Sequence, residues 1–580
     1  MEQSNETKNT KTDMRKKLFL SVCLALLSAW ALASRVKIEW KTYQQPDGSV
    51  LTLTMAGDES FSYFLSPDGK MYEQDAQGVF HILNSEQTVR RAAQAAAQRR
   101  LPALKTQWDP NRVYRQAVIL VSFSDTDFFD EDPQALYNNM FNTPGYNHRN
   151  GAGCVAEYFR EQSGGLCNLQ FDVYGPFKTD RKAQPYANPN SSTRNYGKEA
   201  MIAATRMFVD TTNIDFSVYD WDNDGAVDQI VYVFAGFSGN QGEGVVNGVP
   251  VSSRGYVWPN TGTFTTITTK DGKKISNYSN SCELWLNSSS CGIGTICHEF
   301  SHSLGLPDVY PTVSNGYVSV VDEWDLMDGG NYTNYGWCPP NFTPLEKMLL
   351  GWLTPIELSE PQNITGMKSV SDGGEVYQIK HTDTEYYLLE NRQHKGWDYG
   401  APGQGLVVYH VDYSQSAWRG NTLNNVANHF RFDIVHADGL DYNAWDKEVI
   451  RRDLYSPYVD KPRLHNIKLS TSPYPWTTDS TEFVNNLLTD SSTPASLMYN
   501  ANGEGANLLS KAITDIEMSA DGLISFKFMG GVVDGIGLKQ TAESSKPTVF
   551  DLNGRQLQSA GRHGLFIVRQ ADGTVRKIVR

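Results

Sequence analysis

The sequence predicts an α+β chain. A mixed sheet carries one chemistry-bearing helix, a β-rich region precedes it, and a β-sandwich-like domain follows. Three observations lead there. Apolar runs of strand length at 117–123 (AVILVSF) and 230–234 (IVYVF) alternate with helical patterning such as 155–161. Residues 35–88 contain stretches of alternating apolar and polar positions, as in 49–55 (SVLTLTM), between turn signals at 46–48 and 67–69 (both PDG). From about 356 to 530 strand-like runs dominate, among them 386–389 (YYLL) and 405–409 (GLVVY).

The elements follow in chain order. Residues 1–33 read as an export signal: a basic MRKK from Met14, an apolar run over 18–32, and a small-x-small pattern at Ala31 and Ala33, with cutting expected after Ala33. Met14 is an alternative start, since the polar stretch before it has no role in such a signal. The run is too short to span a membrane comfortably, so no stable membrane span is expected and the protein is placed outside the cell or on its surface. Residues 34–112 form a β-rich pro-region, ending in an Ala- and Gln-rich linker between Arg90 and Arg100 that proteases can reach. Residues 113–355 form the central domain, 356–530 an accessory β-rich domain, and 531–580 a C-terminal β tail whose Asn553-Gly554 is a hairpin signal.

Bulk properties exclude one class. The chain has 580 residues and a net charge of −14, which argues against general nucleic-acid binding. Its 12% aromatic content suits the β-rich reading. Six cysteines remain after the signal is removed, an even number in an exported chain, so disulfides are expected without a pairing being readable. No CxxC pair exists, which argues against a thiolate metal site.

The chemistry sits in GTICHEFSHSLGLPD, which runs from Gly294 to Asp308. His298 and His302 are four apart, so on a helix they share one face and reach a single zinc ion. Glu299 leans toward the same ion without binding it, as a general base does. Gly305 lets the helix stop and Pro307 keeps it from resuming, bringing Asp308 back toward the imidazoles as third ligand. Glu283 and Asp325 are the alternative third ligands. Three protein ligands leave one position for water, which a catalytic zinc site requires.

Downstream, WDLMDGG from Trp324 to Gly330 is a tight apolar-then-Gly turn. The extended string HExxHxxGxxD followed by a Met turn resembles the metzincin-like immune inhibitor A family of secreted bacterial metalloproteases. The DWDNDGAVD string from Asp220, Trp258-Pro259, Gly351-Trp352, the LENR string from Leu389 and the PGQG string from Pro402 look like that family's landmarks. The resemblance covers about residues 115–530. It implies a zinc endopeptidase acting on protein or peptide substrates, with a metzincin-like catalytic domain and Met327 as an apolar floor beneath the metal. Tyr332 is the candidate oxyanion donor.

Two further readings complete the chain. Asp220, Asp222, Asp224 and Asp228, around Gly225, follow a D-x-D-x-D-G-x-x-D pattern suited to a structural Ca²⁺, although the bidentate Glu of an EF-hand is missing and Val231 stands in its place. The last fifty residues resemble a type IX secretion sorting domain, which implies outer-membrane secretion machinery as a partner. Between Ala33 and Cys154 there is no cysteine, so latency by a pro-region thiolate is excluded. A carboxylate from Asp47, Asp58 or Asp68, or steric cover, remains. The competing class is an inactive surface adhesin on a protease-like scaffold, and intact His298, Glu299 and His302 disfavour it.

Overall fold

The structure is a computed structural model. It describes residues 31–33, 40–57, 62–75, 78–84, 101–184, 193–241, 243–246, 249–252, 255–285, 289–312, 320–426, 429–439, 469–477, 484–532, 548–550, 556–557, 565–569 and 575–579. Most of the export signal, Asp58, the 90–100 linker and Asn553-Gly554 lie outside them.

The central sheet has the order β1-β12-β13-β9-β7-β8. Strands β7 (Tyr114–Ser122), β8 (Leu169–Lys178), β9 (Ile230–Phe237) and β13 (Lys274–Leu284) run parallel. β12 (Asn260–Thr268) is antiparallel to β13, and β1 (Ala31–Ala33) adds antiparallel to β12, pairing Leu32 with Thr261. Both faces of the sheet are covered, which is why its strands read as unbroken apolar runs. Val118 and Leu120 of β7 face one core with Val231 and Val233 of β9; Ala117, Ile119 and Val121 face another with Ile230 and Tyr232. Helices α1 (Pro133–Asn142), α2 (Val155–Gln162) and α4 (Gly294–Ser303) supply residues to the first core, and α3 (Thr193–Thr211) to the second. A small hairpin, β10 (Glu243–Val246) with β11 (Val249–Ser252), lies between β9 and β12 in the chain.

Before this sheet, β2 (Lys41–Gln44), β3 (Val50–Gly57), β4 (Ser62–Leu65), β5 (Met71–Gln74) and β6 (Phe80–Ile82) form an antiparallel meander. The alternation in β3 puts Leu53 and Met55 into a core with Phe64, Tyr72 and Phe80, and Trp258 packs against it just before β12 begins.

After helix α5 (Pro344–Leu349) the chain builds a five-stranded sheet from β14 (Ile356–Glu357), β16 (Tyr377–Lys380), β17 (Glu385–Arg392), β18 (Gly405–Asp412) and β19 (Phe432–Ile434). A three-stranded sheet of β15 (Gln362–Met367), β22 (Ile513–Met518) and β23 (Ile524–Phe528) shares a core with it. The short hairpin β20 (Trp476–Thr477) with β21 (Val484–Asn485) precedes β22. The pleat of β17 sends Tyr387 and Leu389 into that core, while Tyr386 and Leu388 join the core of the metal-site helix. One apolar core thus runs through position 355. Residues up to Gly530 form a single compact unit and Gly531–Arg580 a second. The second unit holds the antiparallel strands β24 (Thr548–Phe550), β25 (Gln556–Leu557), β26 (Leu565–Arg569) and β27 (Val575–Val579). Among the described residues no helix is long and apolar enough to cross a membrane.

The disulfide expectation is corrected. All six cysteines from Cys154 to Cys338 are free and buried. Several Sγ atoms are engaged separately: Cys154 accepts from Glu157 N and so caps α2, Cys282 faces Val257 O at 3.3 Å, and Cys338 faces Trp397 O at 3.3 Å.

Candidate metal centre

Helix α4 is buried along its whole length from Gly294 to His302. Its start requires glycine, because a Cβ on Gly294 would stand 2.1 Å from Asn331 O. Phe300 anchors it among Phe159, Phe171 and Trp221, with ring centroids 5.0, 5.8 and 6.5 Å away. The helix ends at Ser303, and Gly305, with φ +98°, turns the chain back. Only glycine suits that position, since an added Cβ would also meet Leu104 Cα at 2.8 Å.

The reversal brings Asp308 to the two histidines. Its Oδ1 lies 3.3 Å from His298 Nε2 and 3.4 Å from His302 Nε2, and all three side chains are fully buried. Each ring is fixed from behind: His298 Nδ1 donates to Leu326 O and His302 Nδ1 donates to Leu306 O, both at 2.8 Å. A carbonyl can only accept, so both Nδ1 atoms carry hydrogen and both Nε2 atoms present lone pairs. Asn421 holds Asp308 from the other side, accepting from its N and donating to its Oδ2, both at 2.7 Å. The atoms left without a hydrogen-bond partner are His298 Nε2, His302 Nε2 and Asp308 Oδ1. Three buried, unpartnered, converging N and O donors fit a divalent zinc ion.

Glu299 is fully buried beside His298, and Thr261 of β12 donates to its Oε2 at 3.1 Å and to its backbone carbonyl at 2.5 Å. Met327 lies in the turn whose Leu326 carbonyl receives His298, and its own carbonyl accepts from Val309 N at 2.9 Å, next to Asp308. The Met turn therefore backs the loop that carries Asp308.

The alternative ligands are used elsewhere. Glu283 accepts Phe129 N at 2.7 Å and Gly236 N at 2.9 Å, tying the loop at Phe129 to β9, and Asp325 accepts Met327 N at 2.6 Å. Tyr332 receives a hydrogen bond from Asn240 at 3.0 Å and its ring lies 5.9 Å from Trp285. Asp220, Asp222 and Asp224 each bring an oxygen within 4.8 Å of the others. Asp228 is turned away from them, corrected by its partners: Oδ2 accepts Trp221 N at 2.6 Å and Oδ1 pairs with Lys105. Asp47 and Asp68 are spent in their own turns, on Ser49 and on Lys70.

Residues 105–350 match the model of the immune inhibitor A peptidase M6 catalytic domain. That stretch is similar to the catalytic domain of immune inhibitor A peptidases. Immune inhibitor A of Bacillus thuringiensis subsp. alesti is 26% identical over 268 residues, which are 40% of this chain and 38% of that protein. The pre-pro-metalloprotease PrtV of Vibrio cholerae serotype O1 is 21% identical over 266 residues, 42% of this chain and 28% of that protein. The chain thus spans well under half the length of these curated relatives. Sequence reasoning missed Asn421 and Thr261, which hold Asp308 and Glu299. Neither lies near the motif in the chain, and no local pattern announces them.

Proposed function

We propose that this chain is an exported zinc endopeptidase with a metzincin-like catalytic domain over 113–355. The observation that supports it best is the trio of unpartnered donor atoms on His298, His302 and Asp308 beside Glu299. These three residues would hold the metal. When bound, zinc supplies a Lewis acid that polarises a carbonyl and lowers the pKa of water to about 7. Glu299 takes the proton from the attacking water and returns it to the leaving nitrogen. The Thr261 hydroxyl keeps its Oε2 oriented for both transfers. Tyr332 is the proposed donor to the developing oxyanion.

A peptide substrate, as opposed to another hydrolysable compound, is favoured by the sheet edge. The chain's own residues 31–33 lie antiparallel on β12, with Leu32 opposite Thr261, so this edge accepts an extended backbone next to the base. Cutting after Ala33 would release that strand. PrtV is named a pre-pro-metalloprotease, and a signal over 1–33 followed by a pro-region over 34–112 is the same arrangement. Calcium at Asp220, Asp222 and Asp224 would stiffen the loop that carries Trp221 onto Phe300 of the helix. The separate unit after Gly530 suits a removable sorting tail, and residues 356–530 act as an accessory β-rich domain.

The test is casein or peptide hydrolysis by purified protein trimmed at the 90–100 linker. Glu299→Ala is expected to lower the rate by about 10²–10⁴-fold while atomic spectroscopy still finds zinc. Wild-type activity in that variant would defeat the reading.

A further inference from the structure

The loop that carries Asp308 is held by a segment from the region after β18. There the chain forms a short helix, α6 (Gln415–Arg419), and its buried Trp418 donates from Nε1 to Gly305 O at 2.9 Å. Asn424, fully buried, spends both its donors and both its acceptor positions. Its Nδ2 donates to Val309 O at 2.8 Å and Phe432 O at 2.9 Å, and its Oδ1 accepts Arg431 N at 2.8 Å and Phe432 N at 3.2 Å. It therefore ties the residue next to Asp308 to the start of β19. Thr312 Oγ1 donates to Asn421 O at 2.7 Å, so the loop is fastened on both sides of Asp308.

Between those ties Asn421 grips Asp308 itself. Its φ is +51°, in the left-handed region that Asn tolerates better than most residues. The side chain is fully buried, and its orientation is fixed by its partners. A backbone N–H only donates, so the atom that accepts Asp308 N at 2.7 Å is the amide oxygen. The amide nitrogen then faces Asp308 Oδ2, also at 2.7 Å. One carboxylate oxygen is thereby occupied. The other, Oδ1, has no hydrogen-bond partner and lies 3.3 and 3.4 Å from the two Nε2 atoms. We propose that Asn421 is a positioning residue that confines Asp308 to binding an ion through Oδ1 alone, and so sets which ion the centre prefers.

The chemistry of the candidate ions gives this restriction its direction. Zinc is satisfied by four ligands, which two imidazoles, one carboxylate oxygen and a water can supply. Manganese and calcium are harder ions that take more oxygens, often both from one carboxylate. A carboxylate limited to one oxygen leaves such ions short of ligands. Without the Asn421 side chain, Oδ2 loses its hydrogen bond and Asp308 is free to chelate with both oxygens. Asn424 acts on the loop backbone and not on the carboxylate, so its loss loosens the centre for every ion alike. The inference rests on the zinc reading of this centre.

The test uses the full chain carrying Glu299→Ala, so that self-digestion does not intrude, loaded with cobalt(II). Cobalt absorbs visible light intensely in a four-coordinate site and weakly at higher coordination number. The chain with Asn421 intact should give the intense spectrum. Asn421→Gly removes the side chain without asking a Cβ to hold φ +51°, and it should give the weak one. Asn421→Ala should do the same, which guards against one variant failing to fold. Chelator competition should show zinc affinity down about 10–100-fold in both, with manganese affinity falling less, so that the preference for zinc shrinks. Asn424→Ala should weaken both ions by similar factors and keep the intense spectrum. An intense spectrum in both Asn421 variants, or equal losses for zinc and manganese, would overturn the inference and leave the zinc reading in place. A chain with Asn421 intact that binds neither zinc nor cobalt would remove the zinc reading, and the inference with it.

Discussion

Two groups of side chains that could hold a metal ion are built in opposite ways. At His298, His302 and Asp308 the hydrogen bonds all come from behind, and the atoms that face one another have no partner. In the 220–228 loop the carboxylates are already satisfied. Asp220 accepts Asp224 N, Gly225 N and Lys273, the last at 2.6 Å, while Asp224 accepts Ala226 N at 2.8 Å. The loop closes on its own amides, whereas the histidine cluster does not close at all. Buried donors without partners are costly unless an ion completes them, and carboxylates already satisfied, buried as Asp220 is or exposed as Asp222 and Asp224 are, merely tolerate one. The spacing of acidic residues alone does not separate the two cases.

The largest expected effect follows from that asymmetry. Asn421→Ala frees Asp308 to rotate, and zinc affinity should fall about 10–100-fold in competition with a chelator. Asp308→Ala should lose more. Unchanged affinity in both would mean that the ion, if it binds, does so elsewhere.

A carboxylate that needs no ion sharpens the contrast. Glu385 accepts from His410 at 2.8 Å, Tyr499 N at 2.6 Å, and Asn500 N and Nδ2 at 2.9 Å each. Burial opposes its charge, but these donors win and hold it at about 2. Because the folded value lies below the unfolded one, its contribution is present above the ordinary carboxyl range and is lost as pH falls toward about 2. Urea stability of Glu299→Ala protein should therefore drop between about pH 5 and pH 3, and adding Glu385→Gln should flatten that slope. An unchanged slope would remove Glu385 as its source.

The smallest effect belongs to calcium. It must compete with Lys273 for Asp220, so saturating calcium should raise the melting temperature of Glu299→Ala protein by only about 2 °C. Asp222→Ala with Asp224→Ala should abolish the rise. A shift of tens of degrees would break the comparison by showing a loop built for its ion.

How legible this was from sequence depends on distance along the chain. His298, Glu299 and His302 are read from one helical period, and Asp308 from a glycine that must reverse the chain. The strands of the central sheet were visible as apolar runs because both faces are buried; the structure extends them, β9 on to Phe237 and β7 back to Tyr114. What could not be read arrives from afar. Asn421 is 113 residues from Asp308 and Thr261 is 38 from Glu299. The LENR and PGQG strings gave no sign of their use: Arg392 is fully buried in an ion cluster with Glu390 and Asp398, and a Cβ on Gly405 would stand 2.5 Å from Tyr474 O. Asp228 fitted the acidic pattern, and only the fold shows that Trp221 N and Lys105 claim it.

The stretch just after residues 90–100 is tied to the loop that carries Asp308. Leu101 N bonds Arg419 O and Lys105 N bonds Leu304 O, each at 3.0 Å, while Trp108 Nε1 bonds Leu350 O at 2.9 Å. Leu104 lies against Gly305, the residue that reverses the chain toward Asp308. These residues work as a girth strap around the back of the metal loop, tied at three points that are far apart in the chain. Trimming within 90–100 leaves the strap buckled. Trimming a few residues later would untie it, so any new amino terminus made there would have its boundary set by the ligand loop itself.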